Sequence, residues 1–324
     1  MNKNCLVTGG AGFIGSHLCE LLLFNGYKVI CVDDLSSGRL QNISSFKNHP
    51  AFQFINLDIT KPYTDKFRQE LGQCAYIFHL ASPASPNSKS SISYYSRPIE
   101  TLLVNSYGTY KLLESARKSC TKFLFASTSE VYGDPLTHPQ SEKYWGNVNP
   151  VGERSCYDEA KRFGEAITTA YFRKYQVDTR IVRIFNTYGP RMHKEDGRAV
   201  VEFINQALED KPIPIFGDGS QTRSFCYVAD LVEGIYKAMF TSDTAGLVIN
   251  LGNPEELTIL ETAQIIKKLT GSKSTFLYGS LPSDDPKRRK PDITKAQKLL
   301  NWIPKVSLTA GLTKTIKFFK NYPS

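Results

Sequence analysis

"TGGAGFIG", residues 8–15, follows the apolar run "NCLV" and opens a segment in which Ile14, Leu18, Leu21 and Leu22 recur at helical spacing. Working outward, Asn4 to Thr8 predicts a short buried strand. The helix is predicted to stop at Asn25 and Gly26, and "KVICVD", residues 28–33, predicts a second strand. Gly9, Gly12 and Gly15 serve a tight turn, a close approach of main chain to a pyrophosphate, and contact between helix and strand. The helix N-terminus then offers unpaired N–H groups and the positive end of a dipole to phosphate oxygens. Asp33 ends the second strand, about twenty residues past Gly9, where a carboxylate accepts from ribose hydroxyls and repels a 2′-phosphate. The pattern points to NAD rather than NADP. Phe13 and Ile14 in the turn are placed with the cofactor, as are Ile59, Leu80 and Ala81 near the ends of later strands. Asp58, after the strand "FQFINLD", reads either as an adenine contact or as a helix cap or loop acid.

The chain has 324 residues, 41% hydrophobic and 22% charged, enough for a sizeable core and roughly two domains. No apolar run approaches a membrane span, and the chain enters a strand at once, so a soluble cytoplasmic protein is expected. Seven scattered cysteines without a CxxC pair fit reduced thiols, with no disulfide frame and no metal site. The net charge of +9 comes from dispersed residues apart from "KRRK", residues 287–290. An anionic small substrate or a basic surface accounts for it more economically than nucleic acid.

"AYIFHLA", residues 75–81, "KFLFAST", residues 122–128, and "DTRIVRI", residues 178–184, predict further strands, with a long helical pattern over residues 98–120. Strands alternating with helices predict an α/β, doubly wound parallel sheet of Rossmann type, with ligands at the C-terminal strand ends. Thr128 lies at one such end and Ala81 and Ser82 at another. His79 sits within an apolar strand and reads as a core histidine. Tyr157 and Lys161 stand one helical turn apart in "YDEAKRFGEAITTAYF". The lysine cation is expected to favour the tyrosinate, so that Tyr157 takes a proton from a substrate hydroxyl while Thr128 holds the same oxygen in line.

The segments "TGGAGFIGSHL", "HLASPASP", "STSEVYGDP", "RIFNTYGPRM", "DGSQTRSFCYVADLV" and "DDPKRRKPDI" resemble the extended short-chain dehydrogenase/reductase family of nucleotide-sugar enzymes, and within it the UDP-glucuronate decarboxylases. The likeness covers nearly the whole chain. It implies bound NAD, a UDP-sugar substrate, no nucleic-acid or membrane partner, and a homodimer built from the two long helices between the fourth and sixth strands. It implies that Thr128, Tyr157 and Lys161 are the catalytic trio and that Glu130 lies near C5 and C6 of the sugar. Asn186, Arg191 and Arg223 are implied to contact the substrate, and Arg289 its pyrophosphate, where a guanidinium fork suits phosphate oxygens. Read alone, "KRRK" is a solvated charge run or a localisation signal.

Ser129 bears on the reaction. Oxidation of UDP-glucuronate at C4 makes a ketone β to the C6 carboxylate, which then leaves as carbon dioxide without acid assistance. A 4,6-dehydratase of this family carries an Asp–Glu pair after the threonine to expel water, whereas here the pair is Ser129–Glu130. Ser129 hydrogen-bonds a carboxylate without repelling it, or is a small packing residue. The expected net reaction is decarboxylation to UDP-xylose with NAD recycled. Two departures keep another NAD-dependent nucleotide-sugar enzyme, a 4-epimerase or 4,6-dehydratase, as the alternative. Ser44 stands where the family decarboxylases commonly carry a glutamate. The loop "NSKSSISYYSR", residues 87–97, is longer than theirs, and Tyr94 or Tyr95 takes the place of the family's tyrosine. A non-catalytic NAD- or nucleic-acid-binding protein is the remote alternative, and the trio speaks against it.

Residues 1–187, with a return segment at about 224–252, are expected to form the NAD-binding domain. Residues 188–223 and 253–324 are expected to form a smaller C-terminal substrate-binding lobe, in which Leu260, Ile265, Ile266 and Leu269 face the core. The site is expected between the two.

Overall fold

The computed structural model describes residues 3–280 and 288–322. Lys287, the first residue of "KRRK", lies outside the described residues. Seven strands, β1 (Asn4–Thr8), β2 (Lys28–Asp33), β3 (Phe52–Asn56), β4 (Tyr76–His79), β5 (Lys122–Thr128), β6 (Thr179–Ile184) and β7 (Val248–Leu251), form one parallel sheet in the order β7-β6-β5-β4-β1-β2-β3. The order reverses beside β1, and the crevice beyond the C-terminal ends of β1 and β4 is where ligands enter such sheets.

Both faces of the sheet are covered, so its strands are apolar throughout. Successive residues go to opposite sides. Cys5 and Val7 of β1 join the core under α1 (Phe13–Phe24), while Leu6 joins the core on the other face. That second core also takes Phe67 of α2 (Asp65–Gly72). The helical pattern of residues 98–120 is interrupted. α3 (Pro98–Leu103) passes through a π-turn at Val104–Gly108 into α4 (Thr109–Ser119). The turn sits where Asn105 donates both to Thr101 O and to Ser82 Oγ, and where a Cβ on Gly108 would approach Ile59 to 3.0 Å. Tertiary contacts thus select the irregular turn. α5 (Ser155–Tyr175) packs against α3, α4 and β5.

After β6 the chain leaves the sheet. It runs through Thr187–Tyr188, which pairs with Cys226–Tyr227, and through α6 (Ala199–Leu208). α7 (Val228–Phe240) packs on α1 and leads back to β7. α8 (Ile259–Thr270) starts at a capping box made by Thr258 and Glu261 and packs on α6. Its Ile266 is fully buried, with Leu260, Ile265 and Leu269 against the same core. α9 (Thr294–Leu300) packs on β7 and α7, and α10 (Leu308–Lys320) on α6 and α8. Between them and the sheet, Thr222–Ser224 is flanked by Glu256–Thr258 and by Arg288–Arg289, with Arg289 directly beside Arg223. Among the described residues no helix is long and apolar enough to cross a membrane.

Candidate active site

A cleft of about 1460 Å³ runs across the C-terminal ends of β1, β4, β5 and β6. Its first half is local in sequence. Gly9 has φ +70°, and a Cβ there would lie 2.8 Å from the Ala81 backbone. A Cβ on Gly15 would lie 2.1 Å from Gly9 O, so the start of α1 can close on the turn only without a side chain. Gly12 differs. Among the described residues a Cβ there would meet only Gly9 O, at 3.1 Å, which leaves bare main chain facing the cleft. Asp33 Oδ2 accepts from Ala11 N at 2.9 Å and Oδ1 from Leu35 N at 2.8 Å. Burial nevertheless pushes this carboxyl up to about 6, against those hydrogen bonds. Phe13, Ile14, Ile59, Leu80 and Ala81 line the same half. Asp58 lines it too, but its Oδ1 also accepts from Thr60 N and Thr60 Oγ1, as a loop acid does. The glycine cradle and the fixed carboxylate fit a dinucleotide with free ribose hydroxyls.

The reacting groups meet where β5 ends. Thr128 Oγ1 accepts from Glu130 N at 3.2 Å, and Tyr157 and Lys161 face it from the first turns of α5. All three are buried. Lys161 Nζ donates to Ala126 O at 2.8 Å and lies 5.8 Å from the centre of the Tyr157 ring. Burial pulls Lys161 down to about 7. Burial also pushes Tyr157 up to about 12, and the groups that oppose it are the Arg198 guanidinium and the Thr128 hydroxyl. The Lys161 ammonium is turned to a β5 carbonyl, and the Arg198 guanidinium is a further cation that favours the tyrosinate. His79, by contrast, bridges Thr8 Oγ1 and Thr109 Oγ1 inside the core, with burial holding it neutral.

The second half is assembled from distant segments. Ser129 is buried beside Glu130 and lines the cleft. Burial opposes ionisation of Glu130, but Arg154 and Arg289, both ion-paired to it, hold its carboxyl down at about 2. Arg223 stands beside Arg289, and Asn186 follows β6 in the same wall. Arg191, expected to contact the substrate, also lines the cleft. Its NH2 donates to Glu20 Oε2 of α1 at 2.7 Å and its guanidinium lies 5.8 Å from the Phe46 ring centre, in the cofactor half. The hydrogen bond between His17 Nε2 and Pro190 O fastens that segment to α1.

The two tyrosines of the loop of residues 87–97 are placed differently. Tyr94 is buried with its ring stacked on Tyr157, 5.1 Å between centres and 13° between planes, while Tyr95 packs behind it. The Tyr94 hydroxyl has no hydrogen-bond partner among the described residues. The segment around this loop is tied to the one before α6 through Ser85 Oγ to Asp196 O, Asn87 Nδ2 to Glu195 O and Arg198 NH2 to Ala84 O. Ser44 is exposed and outside the cleft wall. Sequence reasoning missed Arg154 and Arg198. Arg154 stands one helical turn before Tyr157, a spacing that could have flagged it. Arg198 gave no local signal.

A Rossmann sheet with a glycine cradle, a strand-end acid and a buried Thr–Tyr–Lys group defines an NAD-dependent dehydrogenase-type enzyme. The chain belongs to the NAD dependent epimerase/dehydratase family, whose model matches residues 5–252. It is 48% identical over 317 residues to UDP-glucuronic acid decarboxylase 1 of Danio rerio, covering 98% of this chain and 72% of that one. It is 47% identical over 316 residues to UDP-glucuronic acid decarboxylase 1 of Arabidopsis thaliana, covering 98% and 69%. Among solved structures, the UDP-glucuronic acid 4-epimerase of Bacillus cereus, in complex with UDP-glucuronic acid and NAD, superposes with a TM-score of 0.88 at 34% identity, covering 98% of this chain and 99% of that one.

Proposed function

We propose that the chain decarboxylates UDP-glucuronate to UDP-xylose through a transient ketone at C4. One observation carries the reading. The oxidising group Thr128–Tyr157–Lys161 adjoins Ser129 and a Glu130 that is held ionised by two arginines. The site can oxidise a sugar, yet Ser129 stands in place of the aspartic acid of the Asp–Glu pair with which a dehydratase expels the C6 hydroxyl.

Residues 1–187 with the return at 224–252 hold the cofactor, through Gly9, Gly12, Gly15 and Asp33, with Arg191 on the same side. Residues 188–223 and 253–324 hold the sugar nucleotide, with Arg223, Arg289 and Asn186 facing it. Bound NAD would supply the hydride acceptor and later donor. Tyr157 takes the proton of the C4 hydroxyl while Thr128 holds that oxygen in line. Lys161 keeps its ammonium at the strand end. The C6 carboxylate, now β to a ketone, meets the Ser129 hydroxyl and the Tyr94 hydroxyl and departs as carbon dioxide. Once C5 has gained a proton and C4 has been reduced, Tyr157 returns its proton to the C4 oxygen.

Dimerisation through α3, α4 and α5 is part of this reading. Tyr107 in the π-turn between the first two, Tyr110 on α4, and Phe163 and Tyr175 on the third are exposed, aromatic surface of the kind that marks a contact between copies. The free thiols of all seven cysteines fit the cytoplasm.

Incubation of the purified protein with NAD and UDP-glucuronate is expected to release carbon dioxide and UDP-xylose. A product that keeps its carboxylate with C4 inverted would replace this reading by a 4-epimerase, the activity named for the Bacillus cereus structure.

A further inference from the structure

The proposed reaction leaves one proton unaccounted for. Loss of carbon dioxide leaves an electron pair at C5, spread onto the C4 oxygen, and C5 must gain a proton. The proton on Tyr157 is committed to the C4 oxygen. Glu130 is an anion in its arginine pair. On this reading the main cleft takes the cofactor and the sugar nucleotide, which leaves the wall behind Glu130 as the other approach to C5.

A second cavity of about 310 Å³ lies behind Glu130, room for roughly ten waters at about 30 Å³ each. Exposed Asp134, Asn147 and Asn149 stand along it, with Glu130, Arg154 and Asp158 on its inner side. Glu130 and Arg154 also line the main cleft, so they are the wall between the two spaces. Asp158 is 7% exposed, and its Oδ1 has no hydrogen-bond partner among the described residues. An unpartnered buried carboxylate is costly as an anion.

Resting on the decarboxylase reading, we propose that this cavity is the path by which solvent protons reach C5, with Asp158 as a relay group acting through Glu130. Burial first, then Glu130, push the Asp158 carboxyl up to about 7, against Arg154 and Arg289 and with Glu159 adding to the rise. Tyr95, Cys156 and Tyr157 also lie within its electrostatic reach. Asp158 therefore carries its proton near neutrality. When the substrate's anionic groups draw the arginines from Glu130, a proton passes from Asp158 through cavity water to Glu130 and on to C5. The C5–C6 bond has then broken to release carbon dioxide, a C5–H bond has formed, and Asp158 regains one proton from solvent. One proton is consumed per carbon dioxide, as the overall stoichiometry requires.

The test follows the two halves of the reaction in the NAD-loaded protein mixed with UDP-glucuronate. Absorbance of the reduced nicotinamide reports C4 oxidation, and UDP-xylose reports completion. Asn149→Trp at the exposed side of the cavity is expected to leave the rise of reduced nicotinamide at the wild-type rate, and Asp158→Asn to slow that rise far less than it slows completion. Both are expected to slow UDP-xylose formation roughly tenfold or more, with a larger solvent deuterium isotope effect on that phase. Asn149→Trp leaves Asp158 and its packing in place, so it tests the path even if Asp158→Asn folds poorly. The proposal is overturned if Asn149→Trp completes the reaction within about twofold of wild type, since a tenfold effect is what a lost proton relay predicts. It is equally overturned if Asp158→Asn slows oxidation and completion to the same degree. Failure of the wild-type protein to release carbon dioxide would instead overturn the decarboxylase reading itself.

Discussion

The two halves of the cleft are built by different means. The cofactor half is written within about thirty residues of chain, where Gly9, Gly12, Gly15 and Asp33 follow one another along a strand, a turn, a helix and a strand. The substrate half draws Ser129, Arg154, Asn186, Arg223, Arg289 and the loop of residues 87–97 from across the molecule. A locally encoded site is set as soon as its supersecondary unit forms. A site assembled from six segments depends on every packing that joins them, and its charges are tuned by partners with no sequence relation to one another.

The largest effect should come where the halves meet. Tyr157→Phe is expected to lower turnover about a thousandfold, as removal of a general acid–base group does, while NAD still raises the melting temperature. A variant that turns over normally would separate the phenol from the chemistry. Next, Asp33→Asn should weaken NAD roughly ten- to a hundredfold, the loss of charged hydrogen bonds to two hydroxyls, with UDP-sugar binding to the NAD-loaded protein unchanged. Titration calorimetry separates the two.

The same residue gives a pH signature. Its carboxyl rises on folding from 3.8 to about 6, so the folded state binds the extra proton in that window. The stability of the cofactor-free protein from this group is therefore full below the lower value and falls as pH rises through the window. NAD affinity is expected to run the other way, dropping below about pH 6 as the acceptor is lost. Denaturation and binding curves at several pH values check both slopes, and Asp33→Asn should flatten them.

A smaller effect should sharpen the substrate half. Tyr94→Phe removes only an unpartnered hydroxyl and should raise KM for the sugar nucleotide by about two- to tenfold, one hydrogen bond's worth, with NAD affinity unaltered. Tyr95→Phe should change neither. Equal effects from both would remove the distinction that stacking on Tyr157 makes. The smallest catalytic effect is expected from Phe163→Glu on the exposed face of α5, outside the cleft wall. It should convert a dimer to a monomer by light scattering while the isolated site keeps its chemistry, and an unchanged mass would move the interface elsewhere.

Strong local patterns carried well from sequence to structure. The alternation of apolar runs and helical periods placed β1, β2 and β5 residue for residue, because a buried parallel strand must be apolar along its whole length. The π-turn at Val104–Gly108 escaped, since periodicity cannot register contacts of Asn105 with Ser82 or of Gly108 with Ile59. The pairing of Arg191 with Glu20, 171 residues away, left no trace in the local pattern. Arg198 was not singled out, although its guanidinium favours ionisation of Tyr157.

By itself, then, the order of residues determined the dinucleotide unit, the strand-end threonine and the Tyr–Lys pair, because each is a short-range geometry of one strand, turn or helix. Only the tertiary structure decided which guanidinium acts on the phenol, which tyrosine covers it, and that Glu130 rests as an ion between two arginines with a second cavity behind it. Charges act through space across segments far apart in the chain, and their balance exists only after folding has brought them together and removed the water between them.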